Sequence, residues 1–299
     1  MAVRRSYLFL PGNQPTMLQN GAVLPADVLI FDLEDSVAPT EKDAARELVA
    51  SALRSVDYGE RVLAVRINDL EKPYVKKDLE TVVTAGAHSV MVPKVTGART
   101  IQHVAVMLDL IEEEYDIEKG RTKIIALIET ALGIEHAFDA ATSSQRVEAL
   151  ALGGEDLCAD LGCPRTKEGT EILYSRSRLL IAARAAGIEA VDTPFTDARD
   201  EDGCYADTVF ARSLGFDGKL SISPHHLRPI HRAFMPSQET VAFALEVIEA
   251  MEMAKRERRG AVSLRGKMID LPVVRQAAKT LELARASGMT LPEKEGTPS

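Results

Sequence analysis

The 299-residue sequence has three cysteines, no long apolar run and no excess of basic residues. Cys158, Cys163 and Cys204 are odd in number, and the separation of the first two is not one that zinc sites use. That argues against a disulfide framework and points to a reducing compartment. Acidic residues outnumber basic ones by 45 to 36, for a formal net charge of -9, and no basic stripe marks a nucleic-acid partner. No stretch approaches the ~18–20 consecutive apolar residues of a membrane span. The N-terminal segment MAVRRSYLFLPGNQP has too short an apolar run, and no small-residue cleavage site, for a secretory signal. Internal repeats and low-complexity tracts are absent as well. Together these absences predict a cytoplasmic protein that meets neither nucleic acid nor membrane. They also make single Arg and Lys positions informative, because an acidic protein that handles an anionic substrate must concentrate positive charge locally.

What the chain does have is a series of short apolar runs. They read SYLFLPG (6–12), DVLIFDLED (27–35), RVLAVRIN (61–68), SVMVPKV (89–95), KIIALIET (123–130), VEALALGGED (147–156), IEAVDTPF (188–195) and GKLSISP (218–224). They are rich in Val, Ile and Leu with little polar alternation, as expected of strands covered on both faces of a parallel sheet. Helical patterns separate them. Residues 39–56 offer Thr40 as a cap and Ala44, Leu48, Ala52 and Val56 as an apolar stripe. Residues 98–115 repeat the pattern with Ile101, Val104, Leu108 and Ile111, and 170–187 stop at Gly187. Strand and helix in alternation imply right-handed βαβ units, and eight of them imply an α/β TIM barrel over residues 1–232. The style then changes. Residues 233–299 predict a helical extension: a helix over 237–259 capped by Ser237, a loop over 260–270, a second helix over 272–287, and a disordered tail from about 290.

In a TIM barrel the chemistry lies at the C-terminal ends of the strands. Charged residues gather there: Asp32, Glu34, Asp35, Arg66, Asn68, Lys94, Glu129, Glu155, Asp156 and Asp192. So many carboxylates on one rim repel one another. A divalent cation is the usual remedy, and oxygen-only ligands favour Mg2+. Glu129 and Asp156, on neighbouring strands, form the best pair; otherwise they are a strand-end partner for an Arg and a helix cap. Arg66 either clamps a substrate carboxylate or pairs with Asp32 or Glu34. Glu34 and Asp35 either orient metal-bound water or balance charge. Lys94 acts electrostatically, or as a Schiff-base lysine if its neighbours leave it neutral. His225, His226 and His231 lack ligand spacing and read as surface or core residues. The glycines of GGED, Gly153 and Gly154, let the backbone approach a ligand or metal.

Taken in order, LFLPGN (8–13), FDLEDSVAP (31–39), VRIN (65–68), VPK (92–94), IET (128–130), LGGEDL (152–157), DLG (160–162), ARSLGFDGK (211–219) and GKMIDLP (266–272) are more specific than any one of them. Over residues 4–285 the chain resembles the citrate lyase β-subunit-like family, which includes malyl-CoA and citramalyl-CoA lyases. The resemblance implies a TIM barrel with a C-terminal helical extension that packs on a neighbouring subunit of a homotrimer or hexamer. It implies Mg2+ on Glu129 and Asp156, Arg66 on the substrate carboxylate, and Asp270 as the acid/base residue delivered to a neighbouring subunit's site. The catalytic residues it implies are Asp270, Arg66, Glu34 and Asp35; the substrate-contacting ones are Arg66, Phe9, Pro11, Lys94, Gly153 and Gly154. The partners are a keto acid and a CoA thioester. Two departures stand out. Ser223 replaces the family His after the eighth strand, and the region that carries CoA-phosphate contacts in some members offers Thr16, Met17 and Val23, leaving Arg4 and Arg5 as substitutes. The reaction expected is a reversible carbon–carbon cleavage of a 3-hydroxyacyl thioester. The rivals are an aldolase acting on a free hydroxy-keto acid and a barrel without turnover.

Overall fold

The computed structural model describes residues 3–256 and 261–290. The expected tail beyond 290 and residues 257–260, the expected end of the helix over 237–259 and start of the loop over 260–270, lie outside them. The described chain divides into two compact units, Arg4–Arg232 and, from Ala233 on, a smaller one.

The first unit is a closed barrel of eight parallel strands in sequence order, the first pairing with the last. The strands are β1 (Ser6–Pro11), β2 (Val28–Asp32), β3 (Val62–Arg66), β4 (Ser89–Val92), β5 (Lys123–Ile128), β6 (Val147–Leu152), β7 (Glu189–Asp192) and β8 (Gly218–Ser221). Every one falls inside a predicted apolar run. Between them run α1 (Pro15–Asn20), α2 (Lys42–Ser55), α3 (Val75–Thr84), α4 (Ala98–Glu114), α5 (Ala131–Glu135), α6 (Ala137–Thr142), α7 (Gly154–Leu161), α8 (Leu173–Ala186), α9 (Glu201–Leu214) and α10 (Leu227–Phe234).

Successive side chains of a strand point to opposite faces, and this sorts the core into two layers. Tyr7, Ile30, Ala64, Met91, Leu127, Ala151, Val191 and Leu220, one from each strand, belong to the cluster that fills the barrel. Their neighbours Leu8, Leu29, Val65, Val90, Ala126, Leu150 and Ala190 face outward and pack against helix residues such as Val49, Leu79, Leu108 and Leu179. Each Val, Leu, Ile or Met side chain so removed from water stabilises the fold by ~1.5–3 kcal/mol before entropy is counted, and each alanine methyl by less. The predicted stripe Ile101, Val104, Leu108 and Ile111 is the buried face of α4. Of the stripe predicted for α2, Ala52 is buried and Leu48 and Val56 are half-buried, but Ala44 is exposed and Ala45 and Val49 are buried instead. The expected Thr40 cap is absent: Pro39–Glu41 form a 3-10 turn with no side-chain cap, and α2 starts at Lys42.

The second unit holds α11 (Gln238–Arg256) and α12 (Leu271–Ala286), packed through Val241, Val247, Met251, Ala277 and Leu281. The Ser237 hydroxyl accepts from the Thr240 amide at 3.1 Å, capping α11. Where a loop is expected, the chain makes a hairpin of β9 (Val262–Leu264) and β10 (Lys267–Ile269). Its two-residue turn, Arg265 (φ 50°) and Gly266 (φ 76°), has the positive dihedrals that match the strand twist. Arg-Gly is a weaker turn signal than Asn-Gly, and three-residue strands carry little periodicity, so neither was legible.

Candidate active site

Strand parity decides which charged residues reach the rim. Asp32, Arg66, Glu129, Gly153 and Thr193 each stand two residues beyond a barrel-filling residue: Ile30, Ala64, Leu127, Ala151 and Val191. They therefore continue the interior face to its C-terminal mouth.

Arg66 anchors this layer. Its Nε and Nη2 donate to the two carboxylate oxygens of Asp32, both at 2.7 Å, and Nη1 lies 3.2 Å from Glu34 Oε2. The guanidinium also sits over the Phe9 ring at 4.9 Å. Burial pushes Asp32 up, but the Arg66 hydrogen bonds and charge outweigh it and hold the carboxyl below its usual range. Glu34 is buried more deeply than its partners can offset, so burial raises its pKa despite Arg66. Its second partner is Lys94, whose Nζ donates to Oε1 at 3.1 Å. Burial lowers the Lys94 pKa, but Glu34, Asp35 and Asp69 raise it by more, so the ammonium is favoured. The Schiff-base alternative needs a neutral amine and has no support in this setting. Asp35 is exposed, and Pro11 is half-buried at the end of β1.

Glu129 follows β5 and is 2% exposed. Its Oε1 accepts from the Lys94 amide at 2.8 Å. Lys94 has φ 50°, a left-handed conformation that a residue with a side chain adopts only under local constraint. Burial, with the charges of Asp156 and Glu34 nearby, pushes the Glu129 carboxyl up to about 8. Among the described residues neither Glu129 nor Asp156 makes an ion pair. Asp156 is half-buried in the first turn of α7, whose N-cap Gly153 has no capping side chain.

This donor set fits Mg2+. It is all oxygen, and Glu129 is buried beside the negative charges of Asp156 and Glu34, which a cation would offset; among the described residues no group of three or more His, Cys, Asp or Glu could hold a metal by itself. Mg2+ is the cation that takes one or two carboxylates and keeps its remaining positions for water and substrate. Gly153 also passes close to the pair, since a Cβ there would lie 2.5 Å from Glu129 Oε2.

Several expected residues lie elsewhere. Asp192 faces outward by parity and forms a buried ionic cluster with Arg176 of α8 and Lys219 of β8, which Asp207 of α9 completes. Asn68 donates its amide to Asp78 at 2.7 Å. Arg4 and Arg5 precede β1, at the opposite end of the barrel from the rim, and pair with Glu148 and Asp27. Ser223 caps the turn after β8, accepting from the His225 amide at 3.3 Å. His226 and His231 bond the Asp197 carbonyl and the Ser6 hydroxyl. In the second unit, Asp270 caps α12 by accepting from the Val273 amide at 3.4 Å, a long bond that leaves most of the carboxylate's capacity free. No described helix is long and apolar enough to cross a membrane. Thr193 was missed altogether, although its parity with Val191 places it on the rim.

The architecture and the sequence have known counterparts. The HpcH/HpaI aldolase/citrate lyase family model matches residues 5–224. The citrate lyase subunit beta of Leuconostoc mesenteroides subsp. cremoris is 41% identical over 285 residues, covering 95% of this chain and 94% of that protein. The L-malyl-CoA/beta-methylmalyl-CoA lyase of Rhodobacter capsulatus is 35% identical over 298 residues, covering 92% of each. The CitE protein of Mycobacterium tuberculosis, solved in complex with magnesium, acetoacetate and coenzyme A, superposes with a TM-score of 0.78 at 31% identity, covering 95% of this chain and 99% of that one. With a family match across the barrel and relatives of this identity along nearly the whole length, the chain belongs to the HpcH/HpaI aldolase/citrate lyase family and is a carbon–carbon lyase.

Proposed function

We propose that the protein is a Mg2+-dependent lyase that cleaves a 3-hydroxyacyl thioester into a 2-keto acid and a shorter acyl thioester. The observation that carries this reading is the carboxylate pair of buried Glu129 and half-buried Asp156, neither ion-paired among the described residues, on a rim that also holds Arg66 and Lys94. The magnesium, acetoacetate and coenzyme A of the Mycobacterium tuberculosis protein support it.

When bound by Glu129 and Asp156, Mg2+ supplies a Lewis acid for the substrate's carboxylate and adjacent hydroxyl. Arg66 orients the substrate carboxylate through Nη1, while Asp32 keeps the guanidinium plane fixed. Phe9 and Pro11 line the rim at β1, and Gly153 and Gly154 let the backbone come close. Glu34, raised by burial and lacking a hydrogen bond at Oε2, takes the hydroxyl proton. The carbinol oxygen becomes a carbonyl as the bond to the α-carbon of the thioester breaks. The bond's electron pair passes to the thioester as an enolate. Asp270 of a neighbouring copy in a trimer or hexamer, entering as the carboxylic acid, gives its proton to that carbon; Glu34 then releases the hydroxyl proton to solvent and Asp270 takes one up, so atoms and charge balance over the turnover. Lys94 keeps Glu34 in place and offsets charge. The reverse sequence is a condensation.

The acyl group is open to two readings. Malyl or β-methylmalyl thioesters follow from the R. capsulatus relative, and citramalyl from the family resemblance; a citryl thioester follows from the higher identity to the citrate lyase subunit. The experiment is a panel of malyl-, citramalyl- and citryl-CoA and the corresponding free acids, assayed with Mg2+ and with excess EDTA. Thioester cleavage that disappears in EDTA and in Glu129→Ala is expected. Turnover that survives both overturns the metal-site reading; turnover of free acids alone overturns the thioester.

A further inference from the structure

We propose that Thr193 is a positioning residue for the Glu129–Asp156 pair. It caps α7 from the neighbouring strand, where the helix has no cap of its own. The proposal rests on the metal-site reading above.

The first amides of a helix have no partner within it, and a side chain at the N-cap normally satisfies one of them. The N-cap of α7 is Gly153, which has no side chain to do so. Any larger residue there is excluded by Glu129, since a Cβ on Gly153 would lie 2.5 Å from Oε2. The missing acceptor comes from the residue that follows β7. Thr193, 1% exposed just beyond that strand, accepts the Gly154 amide on its Oγ1 at 2.9 Å. Gly154 is in turn confined to glycine, because a Cβ there would fall 2.5 Å from the same oxygen. One hydroxyl thus fixes the turn that presents both Gly153 to Glu129 and Asp156 to the site.

Thr193 is itself held from behind. Its carbonyl accepts from Lys219 Nζ at 2.7 Å, and the same ammonium lies 2.6 Å from both Asp192 and Asp207. Arg176 pairs with the same two carboxylates, which completes a buried set of two cations and two anions. Such a set is expensive to assemble and stiff once assembled. It sits between β7, β8 and the helices α8 and α9, clear of the barrel interior. Its consequence for the site passes through Thr193.

The test is direct Mn2+ binding, read by the electron paramagnetic resonance signal of free Mn2+, in wild type, Thr193→Val, Thr193→Ser and Glu129→Ala. Valine keeps the shape and loses the acceptor; serine keeps the acceptor. The expected result is that valine weakens Mn2+ binding by ~10-fold or more and serine restores it to within ~2-fold, the scale of one buried hydrogen bond. A role in stability alone leaves the affinity of folded Thr193→Val at the wild-type value and overturns the proposal, as does equal weakening by serine and valine. If the valine variant does not fold, Thr193→Ala carries the same expectation. Wild-type protein that binds Mn2+ no better than Glu129→Ala removes the metal site itself, a result distinct from the others, and takes the proposal with it.

Discussion

Gly153 passes so close to Glu129 that a Cβ at position 153 would lie 2.5 Å from the carboxylate Oε2 and 2.6 Å from the Glu129 Cβ. These are distances that a Cβ essentially never keeps to a neighbouring heavy atom. Because Glu129 is buried and its Oε1 is tied to the Lys94 amide, it cannot swing aside without giving up that bond. Gly153→Ala is therefore expected to move the carboxylate. Overpacking of this kind costs about 1–3 kcal/mol of stability, and misplacing a reacting group by an ångström costs ~100-fold in rate. Denaturant unfolding and steady-state kinetics on the folded variant check both effects. An alanine variant with wild-type turnover rules out the tight approach.

The raised Glu129 carboxyl gives the metal-free protein a defined pH response. Its folded value of about 8 lies above the ordinary 4.5, so the native state prefers the protonated form. That contribution is fully present below pH 4.5 and is lost as pH rises through about 8. In EDTA, the melting temperature of the wild type is expected to fall between pH 5 and pH 9 relative to Glu129→Gln, which cannot ionise. Mg2+ should reverse the fall, because a bound cation stabilises the ionised form. Parallel melting profiles for the two proteins in EDTA contradict the assignment.

The barrel was legible because β-strands buried on both faces announce themselves as uninterrupted apolar runs, and each of the eight runs contains its strand. Much of the rim was legible for a related reason, since the polar residue that ends an apolar run is where a parallel strand meets solvent. Asp192 shows the limit of that reasoning. It too ends an apolar run, but the period of two turns it outward to Arg176 and Lys219. Counting residues from Val191 separates it from Thr193; scanning for charged termini does not. Lys219 is the converse case: a lysine within an apolar run, it is fully buried because two carboxylates meet it. Asp270 was found only through its motif, for a residue beyond the barrel carries no strand signal.

Lys94 is expected to remain unmodified by substrate. Its ammonium is 3.1 Å from Glu34 and 3.9 Å from Asp69, and these carboxylates outweigh the effect of burial. A protonated amine cannot add to a carbonyl. Incubation with pyruvate or glyoxylate followed by borohydride should leave the intact mass unchanged. A trapped adduct that disappears in Lys94→Arg reverses this conclusion and restores the covalent aldolase.

Asp270 offers the sharpest separation between a cap and a catalytic acid. As a cap it makes one long bond to the Val273 amide, and asparagine serves as well in that role. Asp270→Asn should therefore fold and melt like the wild type. If the carboxyl returns a proton to the substrate, turnover nonetheless falls by ~100-fold or more. Delivery to a neighbouring copy makes a second demand. Sites with Glu129 from an Asp270→Asn subunit and Asp270 from a Glu129→Ala subunit are intact, although each variant alone is inactive. Random mixing of equal amounts into a cyclic oligomer yields such sites at roughly a quarter of the total. Mixed and reassembled variants are expected to recover activity on that scale. A mixture as inactive as its parts places Asp270 in the site of its own chain; an Asp270→Asn protein with full activity leaves it only the cap.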